Sequence, residues 1–174
     1  MKYKDSTFNK FKKVLIGGTF DALHKGHQDY IKFAFDLADE VCIFISSDKM
    51  ALILKPYGVL SYNSRKEKVI KFINDYLHRK LREIILKLIL KIRKRKRLEI
   101  KQLNSENELE KYCLENEISL VIVSPEYYEL FKKINEERTN HGLEWFYILV
   151  KERVKDENQN YYSSRSQKIF TNSF

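Results

Sequence analysis

Three stretches of this chain are apolar without interruption: Val14 to Ile16, which stops at Gly17-Gly18, then Val41 to Ile45, and Leu120 to Val123. A strand that shows one face to water alternates apolar and polar residues, whereas a strand covered on both faces of a parallel sheet reads as a continuous run. The three runs are therefore expected to be inner strands, and Leu98 to Leu103 and Trp145 to Val150 to be two more. Between them apolar residues recur at helical spacing over Gly26 to Ala38, Ser64 to Ile92 in two pieces, Glu106 to Glu117 and Pro125 to Asn140. This β-α-β-α-β-α-β-α-β order predicts an α/β fold, a single-domain Rossmann-like doubly wound parallel sheet of about five strands. Ligands bind such sheets outside the carboxyl ends of the strands, where the strand order reverses, so the first strand-to-helix turn is the place to look for chemistry.

A length of 174 residues suits one core, and there is no internal repeat or Gly/Ser/Pro-rich linker to suggest a second domain. The formal net charge of +9 attracts anions of any kind without choosing among nucleotide phosphates, nucleic acid and an acidic membrane surface. Cys42 and Cys113 lack the close spacing of a zinc or redox pair and read as reduced core thiols. The start, Met-Lys-Tyr-Lys-Asp, has no apolar leader, and no apolar stretch approaches the ~20 residues that cross a bilayer. The expectation is a cytoplasmic protein without membrane partners.

The first turn reads Gly17-Gly18-Thr19-Phe20-Asp21-Ala22-Leu23-His24-Lys25-Gly26-His27. It is neither a P-loop nor a GxGxxG fingerprint. Gly17 and Gly18 allow a ligand close to the backbone, and Gly26 leaves open the start of a helix, whose free amides and dipole favour anions. His24 and His27, three apart, are placed to donate hydrogen bonds to one phosphoryl group as its oxygens gain charge in the transition state. The alternatives are a metal pair, for which no third or fourth ligand is evident nearby, and two structural histidines.

The segment GGTFDALHKGH resembles the GGTFDxLHxGH signature of phosphopantetheine adenylyltransferases of the archaeal and eukaryotic type, within the HxGH nucleotidyltransferases. Further matches follow in order: Ser46-Ser47-Asp48, Lys55-Pro56-Tyr57, Val123-Ser124-Pro125-Glu126, Asn135 and Arg138 in INEER, Gly142-Leu143 and Ser163-Ser164. The resemblance implies transfer of AMP from ATP, with Mg2+, to 4′-phosphopantetheine, giving dephospho-coenzyme A and pyrophosphate. It makes His24, His27 and Lys55 catalytic. It places ATP on Gly17, Gly18, Thr19, Phe20, Gly26, His27, Asn135, Arg138, Ser163, Ser164 and Lys168, and the acceptor on Thr19, Asp48 and Lys55, with no metal held by protein ligands alone. Arg165 departs from the family's Ser or Thr, and Arg79 to Ser105 does not resemble the family. Taken singly, Lys55 would be a surface lysine, Asn135 and Arg138 exposed helix residues, and Ser163 and Ser164 an N-cap. Other superfamily acceptors (nicotinamide mononucleotide, flavin mononucleotide, an alcohol phosphate) and a non-catalytic nucleotide- or RNA-binding relative are the rival readings.

Within that divergent stretch, Leu81, Ile84, Ile85, Leu88 and Ile92 fall at helical spacing opposite Arg79, Lys80, Arg82, Lys87, Lys91 and Arg93, followed by Lys94 to Arg97. This predicts a basic amphipathic helical insertion over 79–97. Its apolar stripe would pack on the sheet or on another subunit of a homo-oligomer, with binding to RNA, a membrane surface or a partner helix as the alternatives.

Overall fold

The structure is a computed structural model that describes residues 11–55, 58–87 and 96–151, the side chains of 81–87 excepted. Five parallel strands form one sheet in the order β3-β2-β1-β4-β5. They are β1 (Phe11–Gly18), β2 (Ala38–Ser46), β3 (Arg97–Leu103), β4 (Leu120–Val123) and β5 (Tyr147–Val150). The chain winds outward from β1 through β2 to β3 and then returns to the other side of β1 to lay down β4 and β5. The order therefore reverses between β1 and β4, at the turn that the sequence singles out.

Each inner strand feeds two cores. Val14, Ile16, Val41, Ile43, Ile45, Leu120 and Ile122 point to one face, where α1 (Lys25–Leu37) supplies Ile31, Ala34 and Phe35 and α3 (Tyr62–Lys87) supplies Val69 and Ile73. Leu15, Cys42, Phe44, Val121 and Val123 point to the other, against Leu109 and Cys113 of α4 (Glu106–Glu115) and Phe131 and Ile134 of α5 (Tyr128–Asn140). Burial on both faces explains why these strands are apolar throughout. Cys42 and Cys113 are both free and buried, and burial pushes the Cys42 thiol up to about 11, which makes it inert at neutral pH.

Several boundaries differ from expectation. The sequence does not announce α2 (Asp48–Leu54), which Ser47 caps by accepting a hydrogen bond from the Met50 amide at 3.3 Å. The long central helix runs unbroken from Tyr62 to Lys87 rather than in two pieces, and residues 88–95 of the basic segment lie outside the described residues. The end of that segment is not helical. Lys96 donates to the carbonyls of Phe35 and Ala38, where a cation complements the end of α1, and Arg97 already belongs to β3. Residues 125–127 form a single 3-10 turn ahead of α5. Among the described residues no helix is long and apolar enough to cross a membrane.

Candidate active site

The turn after β1 is held in a conformation that its own residues resist. Phe20 and Leu23 both have positive φ, 53° and 43°, a region that non-glycine side chains rarely adopt, so surrounding structure must enforce it. Three contacts do so. The Phe20 ring is buried under Gly18, where a Cβ would come within 3.2 Å of Phe20 Cε2. Asp21, also buried, accepts from the Leu60 amide at 2.9 Å. Arg65 donates to the Thr19 carbonyl at 2.8 Å. Gly17 is different: a Cβ there meets nothing nearer than Phe44 at 3.8 Å, so its openness serves the cleft it lines rather than internal packing.

His24 is the N-cap residue of α1, yet it gives the helix no side-chain cap bond, and no acidic residue lies in the first turn. By contrast α2 and α4 are capped by Ser47 and Ser105. The first amides of α1 therefore keep their capacity for an external anion. Above them the His24 and His27 rings stack with centroids 3.8 Å apart and an interplanar angle of 20°, and Phe20 packs on His27 at 5.1 Å. Burial, with Lys55 nearby, lowers the His24 pKa to about 4, and burial, with His24 and Lys55 nearby, holds His27 well below the ordinary histidine value. Both imidazoles are neutral at pH 7, and each presents one N–H donor.

This depression sets an acid limit on stability. The unfolded chain protonates these histidines as pH falls through about 6.5, whereas folded His24 resists until about 4. Stability is thus lost across that window and is unaffected above it. Thermal melts at pH 7.5 and 5.0 are expected to show a smaller acid-induced drop in Tm for His24→Asn than for the native chain, and an equal drop in both would refute the assignment.

The turn opens into a cleft of about 470 Å³ lying over the carboxyl ends of the strands. Gly17, Gly18, Thr19, His24, Gly26 and His27 form its floor, and Lys55, the C-cap residue of α2, lies on its wall. The β4–β5 side carries Ser124, Glu126, Tyr127 and Lys151, and the β2–β3 side carries Phe44, Ser46, Leu103 and Glu106. Tyr30, one turn after His27, donates its hydroxyl to the Ile122 carbonyl and so fixes α1 to β4 across the point of reversal. Among the described residues no group of three or more His, Cys, Asp or Glu side chains is arranged to hold a metal.

Most of the residues singled out in the turn, together with Lys55, are brought together in this way. Four others are not. Asn135 is paired with the backbone of Phe146 in both directions, at 2.8 and 3.0 Å. Arg138 is buried and donates to the carbonyls of Glu144, Cys113 and Asn116. They do share one face of α5, but that face is turned to α4 and the approach to β5, and α5 offers Leu130 and Phe131 to the cleft instead. The Phe20 ring is core rather than lining. Asp48 is 57% exposed and binds Arg65 at 2.8 Å outside the cleft lining. Ser163, Ser164 and Lys168 lie outside the described residues.

The residue that sequence reasoning missed most completely is Arg65. It is fully buried, and its guanidinium joins the Leu60 carbonyl, the Thr19 carbonyl and Asp48, each at 2.8 Å. A signal was available, because 65, 69 and 73 form the i, i+4, i+8 stripe that α3 turns inward. A charged residue in that stripe needs buried partners.

A five-stranded parallel α/β sheet with a glycine- and histidine-bearing turn at its point of reversal is a Rossmann-like architecture. The chain belongs to the cytidylyltransferase-like family, whose model matches residues 15–168. Among curated proteins it is 30% identical over 130 residues to the bifunctional phosphopantetheine adenylyltransferase/NTP phosphatase of Thermoplasma acidophilum, covering 75% of this chain but 34% of that longer protein. It also spans less than half the length of the phosphopantetheine adenylyltransferases it matches from Pyrococcus and Thermococcus. With the phosphopantetheine adenylyltransferase of Methanosarcina acetivorans it shares 28% identity over 83% of this chain and 81% of that one. Among solved structures, a protein of unknown function from Archaeoglobus fulgidus superposes with a TM-score of 0.58 at 26% identity, over 87% of this chain and 100% of that chain.

Proposed function

We propose that this protein is a cytoplasmic nucleotidyltransferase, one domain spanning residues 1–174, that transfers AMP from magnesium-bound ATP to 4′-phosphopantetheine. An oxygen of the acceptor phosphate attacks the α-phosphorus of ATP, the bond from that phosphorus to the bridging oxygen of the β-phosphate breaks, and dephospho-coenzyme A and pyrophosphate leave. The observation that carries this reading is the stacked, neutral His24–His27 pair over the uncapped start of α1, in a cleft at the β1/β4 reversal. The names of the archaeal relatives support the choice of acceptor.

The acceptor phosphate is itself a good nucleophile, so no general base is needed, and catalysis rests on position and charge. Thr19 and the first amides of α1 hold the reacting phosphates, His24 and His27 donate to oxygens that gain charge, and Lys55 neutralises the approaching acceptor. Mg2+ would arrive with the triphosphate as part of the substrate and would offset part of its charge. Ser124, Tyr127 and Lys151 offer a polar and aromatic wall for the nucleoside side of ATP. By resemblance Ser163, Ser164 and Lys168 would bind the departing pyrophosphate.

The test is magnesium-dependent pyrophosphate release from ATP with four acceptors compared: 4′-phosphopantetheine, nicotinamide mononucleotide, flavin mononucleotide and glycerol 3-phosphate. Release with the first alone is expected. Preference for another acceptor would keep the chemistry and overturn the substrate, and release with none would overturn both.

A further inference from the structure

The parts of the site come from three elements. The Gly17-Gly18 backbone ends β1, His24 and His27 open α1, and the wall at Val123 and Ser124 follows β4. Phosphoryl transfer needs them held at fixed distances from one another. The sheet itself loosens at this point. β1 pairs with β2 as far as Gly18↔Ile45, and β4 pairs with β5 as far as Val123↔Val150, yet β1 and β4 pair with each other only as far as Ile16↔Ile122. The two strands part at that rung, and the cleft lies directly beyond it.

The Tyr30 hydroxyl sits at the same rung. It donates to the Ile122 carbonyl of β4, and the Gly17 N–H of β1 is directed at the same hydroxyl oxygen, where it opposes the rise that burial imposes on the Tyr30 pKa. Tyr30 lies three residues after His27, so the two share a side of α1, and its ring packs on the core that Ile31 and Ala34 help to build. Apolar contacts hold the helix to the sheet without direction and tolerate small slides along it. A hydrogen bond has a preferred length and angle and does not. Tyr30 is thus the side chain of α1 that reaches both strands where they separate.

We propose that Tyr30 is a positioning residue for phosphoryl transfer: its hydroxyl joins α1 to the rung where β1 and β4 part, and so keeps the His27 ring in a fixed place relative to the Gly17-Gly18 backbone. The inference rests on the proposed function and adds to it the residue that sets the geometry of the histidine pair. The hydroxyl proton is committed to the Ile122 carbonyl, so Tyr30 neither gives nor takes a proton in the reaction. Its effect reaches the substrate through His27. A donor displaced from the oxygens that gain charge loses much of its value in the transition state. ATP in the ground state, where a neutral imidazole contributes little, is bound about as before.

Tyr30→Phe keeps the ring and removes the hydroxyl. Assayed well below its melting point, it is expected to lose about tenfold in kcat, with KM for ATP and for the acceptor each within about threefold of native. Its Tm is expected to fall by only about 2–4 °C, and a purely structural role would move Tm and leave kcat alone. para-Aminophenylalanine at position 30 restores a donor to Ile122 and is expected to recover at least about threefold of the lost kcat. The rung itself is read without substrate. Gly17 is the glycine that follows an isoleucine, so 15N-glycine with 13C-carbonyl isoleucine labelling isolates its amide. That resonance is expected to shift in Tyr30→Phe, while Gly142, beyond the end of α5, stays in place. A native kcat in Tyr30→Phe, an unmoved Gly17 amide, a loss carried wholly by KM for ATP, or an amino variant no better than Phe would each overturn the inference and leave the proposed function standing. A native enzyme that prefers another acceptor would overturn the proposed acceptor alone, and the same variants assayed on that acceptor would decide Tyr30. A native enzyme that transfers AMP to none would overturn both.

Discussion

His27→Ala is expected to lower kcat about 10²- to 10³-fold while KM for ATP moves by only a few-fold. The His27 ring is wedged between Phe20 and His24, so its donor is already oriented before substrate arrives. It is neutral, because burial opposes its charge, and so it attracts ground-state phosphate only weakly. In the proposed role its hydrogen bond would strengthen as oxygens on the α-phosphoryl group gain charge, so the loss would fall on kcat rather than on ATP binding. His27→Gln, which keeps a polar donor and fills more of the space under Phe20, controls for a simple packing defect. Steady-state kinetics with an independent ATP-binding titration separates the two terms. An unchanged kcat, or a rise in KM for ATP that accounts for the whole loss, would remove His27 from the chemistry.

Much of this site was legible in the sequence because its chemistry is local. The glycines, Thr19, His24 and His27 lie within eleven consecutive residues, and the apolar runs on either side fix that segment as a strand-to-helix turn. The inner strands were legible for a similar reason: Val14 and Ile16 serve one core and Leu15 the other, so both faces had to be apolar. Edges were harder. Trp145 reads like a strand residue, but it is 62% exposed, and the Asn135 side chain takes up both the N–H and the carbonyl of Phe146, so β5 starts only at Tyr147. Helix α2 escaped notice because its seven residues end in Leu52, Ile53 and Leu54, all exposed, and no amphipathic stripe marks it.

What failed was whatever depends on which face of an element meets which neighbour. The spacing of Asn135 and Arg138 correctly puts them side by side, but spacing does not tell a cleft-facing side from one that is packed inside. Ser46 was part of a recognised Ser46-Ser47-Asp48 segment, yet only the register of β2 on β3 separates the hydroxyl in the cleft from the one that caps a helix. Arg65 is the extreme case, since its partners lie 46, 17 and 5 residues away.

Replacement of Arg65 is accordingly expected to have the largest effect on stability of any single change around the site. Arg65→Met keeps much of the side-chain volume but leaves the Thr19 and Leu60 carbonyls without their guanidinium donor, at about 1–3 kcal/mol each. A total near 3 kcal/mol corresponds to a fall in Tm of roughly 6–12 °C for a domain of this size. Asp48→Ala is the informative contrast. It removes only the partner that is more than half exposed and leaves the fully buried guanidinium its two carbonyl bonds, so its fall in Tm is expected to be clearly smaller than that of Arg65→Met. The two variants together separate the carbonyl bonds from the ion pair. Arg65 also restrains the Thr19 carbonyl next to Phe20, whose positive φ the turn has to sustain. Assayed well below its melting point, Arg65→Met is therefore expected to lose at least about tenfold in kcat, as His24 and His27 drift from their stacked geometry. Arg65→Lys, which supplies a cation but only one nitrogen, is expected to fall between. An Arg65→Met protein that melts and turns over like the native one would show that the turn keeps its strained backbone without this guanidinium.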